Sequence, residues 1–71
     1  MNYITVMLIG GSRNGSVRTV EKKKDFIAEP VLGGKFISND IYKVVHRQDA
    51  KHDTHYTVDA FAEYVDTESV N

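Results

Sequence analysis

Residues 8–16 of this chain read Leu-Ile-Gly-Gly-Ser-Arg-Asn-Gly-Ser, and the prediction of the fold starts from this glycine-rich stretch. The run Tyr3–Ile9 leads into it, and its β-branched and aromatic composition over so few residues predicts a strand. Asn14-Gly15 is the dipeptide that most readily supplies the two positive φ angles of a type I′ hairpin turn. Gly10-Gly11 lets the chain bend as it leaves the first strand. The stretch therefore predicts a β-hairpin whose second strand covers residues 16–21.

The first strand is apolar on both of its faces. Ile4, Val6 and Leu8 share one face because side chains alternate along a strand, and Met7 and Ile9 lie on the other. A strand that can bury both faces is typical of the middle of a sheet or of a small barrel. We therefore expect this strand to be central.

The remaining segments predict further strands. Residues 26–28 form a short edge strand that ends at Pro30, because proline cannot donate to a ladder. Residues 35–37 form another short strand. The segments 40–47 and 54–65 form a second hairpin around a polar loop. Its second strand shows strict alternation at five positions, which are Tyr56, Val58, Ala60, Ala62 and Tyr64.

Five strands in 71 residues predict an all-β protein with a single small domain over residues 1–71. The expected architecture is a small antiparallel barrel or a strongly bent sheet, of SH3-like or OB-like size. A short C-terminal helix stays open as an alternative, because residues 58–65 also fit one helical face. Residues 66–71 are polar and are expected to fray.

Composition and charge narrow the function. The chain has no cysteine, so disulfides and thiolate metal sites are excluded. Residues 1–48 carry eight Lys/Arg and four Asp/Glu, a net of +4, whereas residues 49–71 carry one Lys and six acids, a net of −5. No signal peptide and no apolar run of about 20 residues are visible. We expect a soluble cytoplasmic protein without membrane contact.

The glycines also invite comparison with a phosphate-binding loop. Gly10 and Gly15 have the spacing of a Walker A motif, but Ser16 and Val17 follow where that motif needs Lys and then Ser or Thr. The next element is a predicted strand, so no helix N-terminus would face a phosphate. The stretch favours a structural hairpin over a nucleotide site.

The three histidines fall in or beside the second hairpin. His46, His52 and His55 could supply imidazole ligands to zinc, with Asp49 or Asp53 adding an oxygen. Polar loops often carry solvated histidines, and no nucleophile or pocket accompanies these to suggest acid–base catalysis. We expect no metal and no cofactor.

A basic cluster in the first half supports nucleic-acid binding as an alternative. Its members are Arg13, Arg18, Lys22, Lys23 and Lys24, and the aromatic residues that could stack on bases are Tyr3, Phe26, Phe36 and Tyr42. The sequence pI of about 6.2 argues against it, because an unselective nucleic-acid binder needs basic surface to displace counterions. Nucleic acid is therefore not the expected partner.

The layout resembles a loose group of small bacteriophage and prophage proteins. They open with an apolar strand, Gly-Gly, two variable residues, Asp/Asn-Gly and a second strand, and they close with two Tyr-containing strands. The resemblance covers most of residues 3–64, and the matching positions are Leu8-Ile9-Gly10-Gly11, Asn14-Gly15, Tyr42 with Val44, and Tyr56 with Val58. It implies a phage origin and a viral accessory protein without catalysis, and it carries over no functional residue.

We therefore expect a phage-encoded binding protein, not an enzyme, that modulates or inhibits a host protein by occlusion. The host protein could be an enzyme, the polymerase or a defence component. Contact residues are expected near the second hairpin and on the acidic segment after it, at Arg47, His55, Tyr56, Glu63 and Asp66. A nucleic-acid or nucleotide-binding β-barrel and a structural component of the virion or its assembly stay open. The small core also leaves a homodimer open.

Overall fold

The computed structural model of the chain describes residues 2–31, 37–47 and 57–69. Five strands form one sheet in the order β2-β1-β5-β4-β3. The strands are β1 (Tyr3–Ile9), β2 (Val17–Glu21), β3 (Phe26–Val31), β4 (Ser38–His46) and β5 (Ala60–Ser69). The sheet is strongly curled into a half-barrel. The predicted all-β class and the strongly bent sheet of five strands are confirmed.

The first strand is central, as predicted from its two apolar faces. β1 pairs antiparallel with β2 on one side and parallel with β5 on the other. The sheet is therefore mixed, and the parallel pair departs from the expected antiparallel arrangement. Two antiparallel units, β1–β2 and β3–β4–β5, meet along this parallel pair.

Two predicted strand ends are wrong. β3 continues through Pro30, which lies opposite Asn39 of β4. An edge strand tolerates proline where the missing N–H would face away from its neighbour. β4 begins at Ser38 rather than residue 40, and the start expected for the short strand 35–37 lies outside the described residues.

The last strand is shifted along the chain relative to its prediction. β5 begins at Ala60, whereas residues 54–56 of the predicted strand lie outside the described residues. β5 runs to Ser69, which pairs with Ser38, so residues 66–69 are part of the sheet rather than a frayed tail. The alternative of a C-terminal helix over residues 58–65 is also wrong, because residues 60–65 are extended.

A bulge in β5 changes which face its last residues occupy. Ile41 pairs with Asp66 and Tyr42 pairs with Tyr64, so Val65 is an extra residue in the ladder. An extra residue inverts the alternation of every side chain beyond it. Thr67 consequently lies on the same face as Tyr64, and their hydroxyl oxygens are 2.6 Å apart.

Apolar side chains cluster on both faces of the sheet. The larger cluster lies on the concave face and consists of Val6, Leu8, Ile27, Tyr42, Ala60 and Ala62, with Ile4, Val20 and Val44 packed against it. The smaller cluster combines Met7, Val58 and Phe61 with Ile9. The two faces of β1 thus contribute apolar side chains to different clusters.

The turn between β1 and β2 is longer than a two-residue hairpin loop, because Leu8 bonds Gly15 and Ser16. Among the described residues no non-glycine has a positive φ, so Asn14 does not have the conformation that a type I′ turn requires. Gly15 has a φ of 87°, its N–H donates to Leu8 O, and Leu8 N–H donates to Ser16 O. Two residues opposite one, with glycine left-handed at the first position, define a G1 bulge. Asn14 instead closes the loop by accepting from Gly10 N–H at 2.7 Å.

Candidate binding surface

A buried carboxylate ties the first turn to the far side of the sheet. Asp40 of β4 is only 4% exposed. It accepts hydrogen bonds from the N–H and the hydroxyl of Ser12, at 2.8 and 2.6 Å, and from the Thr67 hydroxyl at 2.7 Å. The side-chain bond from Ser12 is the main reason that the pKa of Asp40 lies below its usual range, followed by the backbone bond from Ser12 and the bond from Thr67. These bonds outweigh the opposing effect of burial.

Tyr42 adds a second tie beside the first. Its hydroxyl donates to Gly10 O at 2.8 Å and accepts from Arg13 N–H at 3.3 Å. Burial raises the pKa of Tyr42, so this hydroxyl stays protonated as a donor. The Tyr42 ring meets the Tyr64 ring edge-on at a centroid distance of 5.9 Å. We call Ser12, Asp40, Tyr42 and Thr67 the Asp40 latch.

The latch is a structural device. Among the described residues every buried side-chain nitrogen or oxygen has a hydrogen-bond partner. A carboxylate held by three donors stabilises the turn, and its lowered pKa makes it a weak proton acceptor. The donors and acceptors of the latch are therefore occupied by hydrogen bonds within the fold.

The opening of the half-barrel lies between β2 and β3, and we call this gap the seam. The two strands are the ends of the sheet, and they are consecutive in the chain, joined by residues 22–25. Within the described residues no backbone ladder joins them. They resemble the two strands of a hairpin that have separated, and Arg18 of β2 lies opposite Glu29 of β3.

The alternation of hydrogen-bonded pairs between β1 and β2 shows which backbone groups of β2 face the seam. Lys22 N–H donates to Asn2 O, and Leu8 N–H donates to Ser16 O. Because bonded pairs alternate along an antiparallel ladder, Arg18 and Val20 direct their backbone groups toward β1. The backbone groups of Val17, Thr19 and Glu21 therefore point away from β1, and we call them the outer edge of β2.

The backbone groups of β3 alternate in the same way. Val44 N–H donates to Asp25 O, so the backbone groups of Phe26, Ala28 and Pro30 point away from β4 into the seam. Pro30 has no N–H to offer, and its carbonyl oxygen accepts from the Arg13 guanidinium at 3.4 Å. Proline blunts a strand edge against pairing. The outer edge of β3 is thus closed at Pro30 and open at Ala28.

Arg18 spans the seam near its middle. Its Nε and Nη2 lie 3.0 and 2.9 Å from Glu29 Oε1, and its Nη1 donates to Val17 O at 2.9 Å. Glu21 O accepts from Lys24 N–H in the turn. The N–H and C=O of Thr19 and the N–H of Glu21 are left on the outer edge of β2 with no partner within the described residues. Within the described residues the seam is consequently bridged at Arg18 and open between Arg18 and the turn at residues 22–25.

Three surface cavities among the described residues are each lined by Tyr3 and one lysine. The first lies between β2 and β3, and the other two lie beside the start of β1 without any lining from β3. The first has a volume of about 320 Å³ and is bordered by Thr19, Val20, Glu21, Lys24, Ile27 and Ala28. The second, of about 330 Å³, is lined by Lys23, Asn2 and Glu21. The third, of about 380 Å³, is lined by Lys22, His46 and Asp59, among others. We call Tyr3 with these lysines the basal surface.

Exposed aromatic groups accompany the lysines. Tyr3 is 58% exposed at the start of β1, and Phe26 is 53% exposed at the start of β3. They flank the turn that carries Lys22, Lys23 and Lys24, all of which are exposed. An accessible tyrosine beside concave surface and cationic groups has the composition of an interface anchor.

The predicted partner-contact residues do not form one patch. Arg47 follows the basal end of β4 and donates to Val58 O at 3.1 Å. Glu63 lies opposite Lys43, and Asp66 lies opposite Ile41, six residues along β4 from Arg47 and therefore about 20 Å away. His55 and Tyr56 lie outside the described residues. Arg47 is the described member at the end of the sheet that carries the basal surface.

The predicted basic cluster also divides. Arg13 and Arg18 hold the seam together, whereas Lys22, Lys23 and Lys24 face solvent at its base. Tyr42 is fully buried, so it is not available for the base stacking that the nucleic-acid alternative would require. Tyr3 and Phe26 are exposed as stacking requires, and Phe36 lies outside the described residues.

The latch and the seam could not be predicted from the sequence, for different reasons. Ser38-Asn39-Asp40 is typical turn composition, and the predicted strand began only at residue 40. Asp40 is buried but lies in a triplet of polar residues, so no hydrophobic periodicity indicates that it is buried. The seam has no periodic signal in the sequence either. The segments of β2 and β3 are typical of a hairpin, and the curl of the sheet holds the two strands apart.

Residues 2–31, 37–47 and 57–69 contain no group of three or more His, Cys, Asp or Glu side chains that could hold a metal ion. His52 and His55, two of the three histidines considered as zinc ligands, lie outside these ranges. Over the same part of the chain there is no helix with the length and hydrophobicity needed to cross a bilayer.

Comparison with known proteins adds no family. No family model, no curated protein and no solved structure matches this chain.

Proposed function

We propose that this chain is a non-catalytic binding protein that occludes a surface of a protein partner. The observation that supports the proposal is the open seam, where the edges of β2 and β3 face each other with no ladder between them among the described residues. Unpaired backbone groups on an edge strand are a template for pairing with another chain. The resemblance to small phage proteins supports a phage-encoded modulator, with a host protein in the host cytoplasm as its target.

The mode of binding follows from the two parts of the surface. The outer edge of β2 offers main-chain donors and acceptors at Thr19 and Glu21, which would give affinity by strand addition. Tyr3 offers a large, rigid side chain next to cavities, which would anchor the partner. A partner held at both would have its own edge strand or loop covered.

The test is capture from a bacterial lysate with three forms of the tagged chain. Thr19→Pro removes the outward N–H without removing a bond to β1, and Thr19→Ala removes the side chain but keeps that N–H. We expect one host protein to be retained by the parent and by Thr19→Ala, and to be lost with Thr19→Pro. Equal melting temperatures for the three forms would show that the fold is intact.

Two outcomes would contradict this proposal. A host protein retained equally by Thr19→Pro and the parent would show that the outer edge of β2 is not the site. Recovery of the chain alone would support self-association, as expected of an assembly component, over a host target.

A second candidate, single-stranded nucleic acid, is favoured by one observation. Tyr3 and Phe26 are both exposed and flank three lysines, which combines stacking groups with charges for the backbone. Titration with a fluorescent oligothymidine at low salt tests it. Binding that weakens in Tyr3→Ala and falls steeply with salt would support this candidate, and undetectable binding would end it.

A further inference from the structure

We propose that the seam closes reversibly: β2 and β3 pair as an antiparallel hairpin and complete a five-stranded barrel. In this closed form the outer edge of β2 is paired within the chain and is not accessible to a partner. The regulatory role of closure rests on the proposed function, because β3 and the partner would compete for the same edge. The closure itself is carried by the backbone groups, the turn and the side chains on the two sides of the seam.

The backbone groups that face the seam from the two strands are in phase for one ladder. On β2 they belong to residues 17, 19 and 21, and on β3 to residues 26, 28 and 30. An antiparallel ladder bonds such residues in pairs at alternate positions. When Thr19 lies opposite Ala28, every outward residue of β2 meets an outward residue of β3. The three pairs are Val17–Pro30, Thr19–Ala28 and Glu21–Phe26.

The turn between the strands favours this register. Glu21 O accepts from Lys24 N–H at 3.0 Å, which is the bond of a β-turn over residues 21–24. A hairpin that pairs Glu21 with Phe26 has the four-residue loop 22–25, and loops of this length are most often built around a type I turn. A register shifted by two residues leaves the two-residue loop 22–23, whose favoured turn types need a positive φ. Among the described residues only glycines have one, so that shorter loop is not formed.

The side chains on the inner side of the seam match the same register. Residues directly opposite each other in an antiparallel pair share one face of the sheet. Arg18 then lies opposite Glu29, and these side chains already meet, with Arg18 Nη2 2.9 Å from Glu29 Oε1. Val20 lies opposite Ile27, and both line the cavity between the strands and belong to the concave cluster. Closure would replace that cavity by contact between two apolar side chains, which is favourable.

The end of the seam that contains proline also fits a closed ladder. Pro30 has no N–H and therefore cannot donate to Val17 O. That oxygen already accepts from Arg18 Nη1 at 2.9 Å, so it needs no donor from β3. Pro30 O can take Val17 N–H in exchange for the Arg13 guanidinium, which lies 3.4 Å away. Closure therefore leaves neither of these two carbonyl oxygens without a donor.

A closed seam changes how a partner reaches β2. Thr19 N–H and C=O would be bonded to Ala28, so an incoming strand has to displace β3. The apparent Kd of the partner then rises as the open fraction of the chain falls. Closure also pairs two strand edges that would otherwise be templates for unspecific pairing.

The test is disulfide trapping, which the chain permits because it contains no cysteine. The register-matched variant is Thr19→Cys/Ala28→Cys, at two exposed positions. In the closed ladder their Cα atoms lie about 5.5 Å apart, within the range of a disulfide. The control is Val17→Cys/Ala28→Cys, which is shifted by two residues on the same face. Its Cα atoms would lie about 7–8 Å apart, too far to be bridged without backbone movement.

We expect the matched pair to oxidise at least about tenfold faster than the shifted pair in the same glutathione buffer. The oxidised matched chain should also show a nuclear Overhauser effect between the Hα atoms of Val20 and Ile27, because the Cα atoms of such a non-bonded pair approach to about 4.5 Å. Equal oxidation rates, or a disulfide without this Hα contact, would overturn the closure. If the circular dichroism spectrum of the reduced matched chain departs from the parent, Arg18→Cys/Glu29→Cys repeats the comparison on the inner face, with Val20→Cys/Glu29→Cys as its shifted control.

Capture from lysate distinguishes the closure from the proposed function. The oxidised matched chain should retain at least about tenfold less host protein than its reduced form, and dithiothreitol should restore the retention. Equal retention by the two forms would show that closure does not regulate binding, and it would also remove the outer edge of β2 as the proposed site. Failure of the disulfide test alone removes the closed barrel and leaves strand addition on β2 standing.

Discussion

Gly11 and Gly15 lie in the same turn and share one backbone requirement, but their surroundings differ. Gly11 has a φ of 65° and Gly15 a φ of 87°, both in the left-handed region. A Cβ on Gly15 would meet nothing within 4 Å. A Cβ on Gly11 would overlap the Tyr42 hydroxyl oxygen and lie 3.0 Å from Asp40 Oδ2. Alanine at the two positions therefore separates backbone strain from the packing of the Asp40 latch.

The two substitutions should differ by a measurable free energy. A left-handed alanine costs about 1–2 kcal/mol at either position. At Gly11 an overpacking cost of about 1–3 kcal/mol is added, because Tyr42 and Asp40 are buried and cannot move aside freely. We expect Gly11→Ala to be less stable than Gly15→Ala by about 2 kcal/mol, which corresponds to roughly 8–16 °C in Tm for a domain of this size.

The measurement is urea unfolding of the parent and both variants, followed by circular dichroism at neutral pH. Gly15→Asn serves as a further control, because asparagine tolerates the left-handed region and should recover part of the loss. Equal free energies of unfolding for Gly11→Ala and Gly15→Ala would refute the close packing of the turn on β4. A Gly15→Val chain as stable as the parent would refute the left-handed bulge itself.

Three further predictions concern the contacts that hold the half-barrel. The pKa of Asp40 is lowered in the folded state, so the contribution of Asp40 to the free energy of unfolding is complete above the unfolded pKa of about 3.9 and is lost as pH falls through the folded pKa. Asp40→Asn should be less stable at pH 7 and should lose this part of the acid dependence. An unchanged acid unfolding profile would contradict the latch. Tyr42→Phe removes the hydroxyl that bonds Gly10 O and should cost about 1–2 kcal/mol in thermal unfolding, and a cost near zero would show that this bond is not needed. Arg18→Ala and Glu29→Ala, combined in a double-mutant cycle, should show a coupling of about 0.5–1 kcal/mol that shrinks in high salt; no coupling at low salt would mean that the pair does not bridge the seam in solution.

Local sequence patterns predicted β1 and its position well. The run Tyr3–Ile9 is apolar on both faces, and a strand with two buried faces has to lie between two neighbours. The edge position of β3 was also predictable, because its proline excludes it from a central position. Alternation similarly indicated a strand at residues 60–65 rather than a helix.

Strand ends were less predictable, because pairing decided them. Residues 66–69 are polar and read as a tail, but they pair with residues 38–41 of β4. The Val65 bulge then rotates Thr67 onto the face of Asp40. A rule based on strict alternation places Thr67 on the opposite face, since it contains no information on where a ladder takes an extra residue.

Residues 8–16 show which features follow from the local sequence and which depend on tertiary contacts. Residues 8–16 alone indicated that a turn joins two strands, since three glycines and an asparagine offer the conformations that such a turn uses. What the turn packs against depends on tertiary contacts, because Asp40, Tyr42 and Thr67 come from strands that are distant in the chain. The same holds for the candidate site. The residues of β2 and β3 predict two strands, but the curl of the whole sheet keeps them apart and leaves the backbone of Thr19 facing the seam.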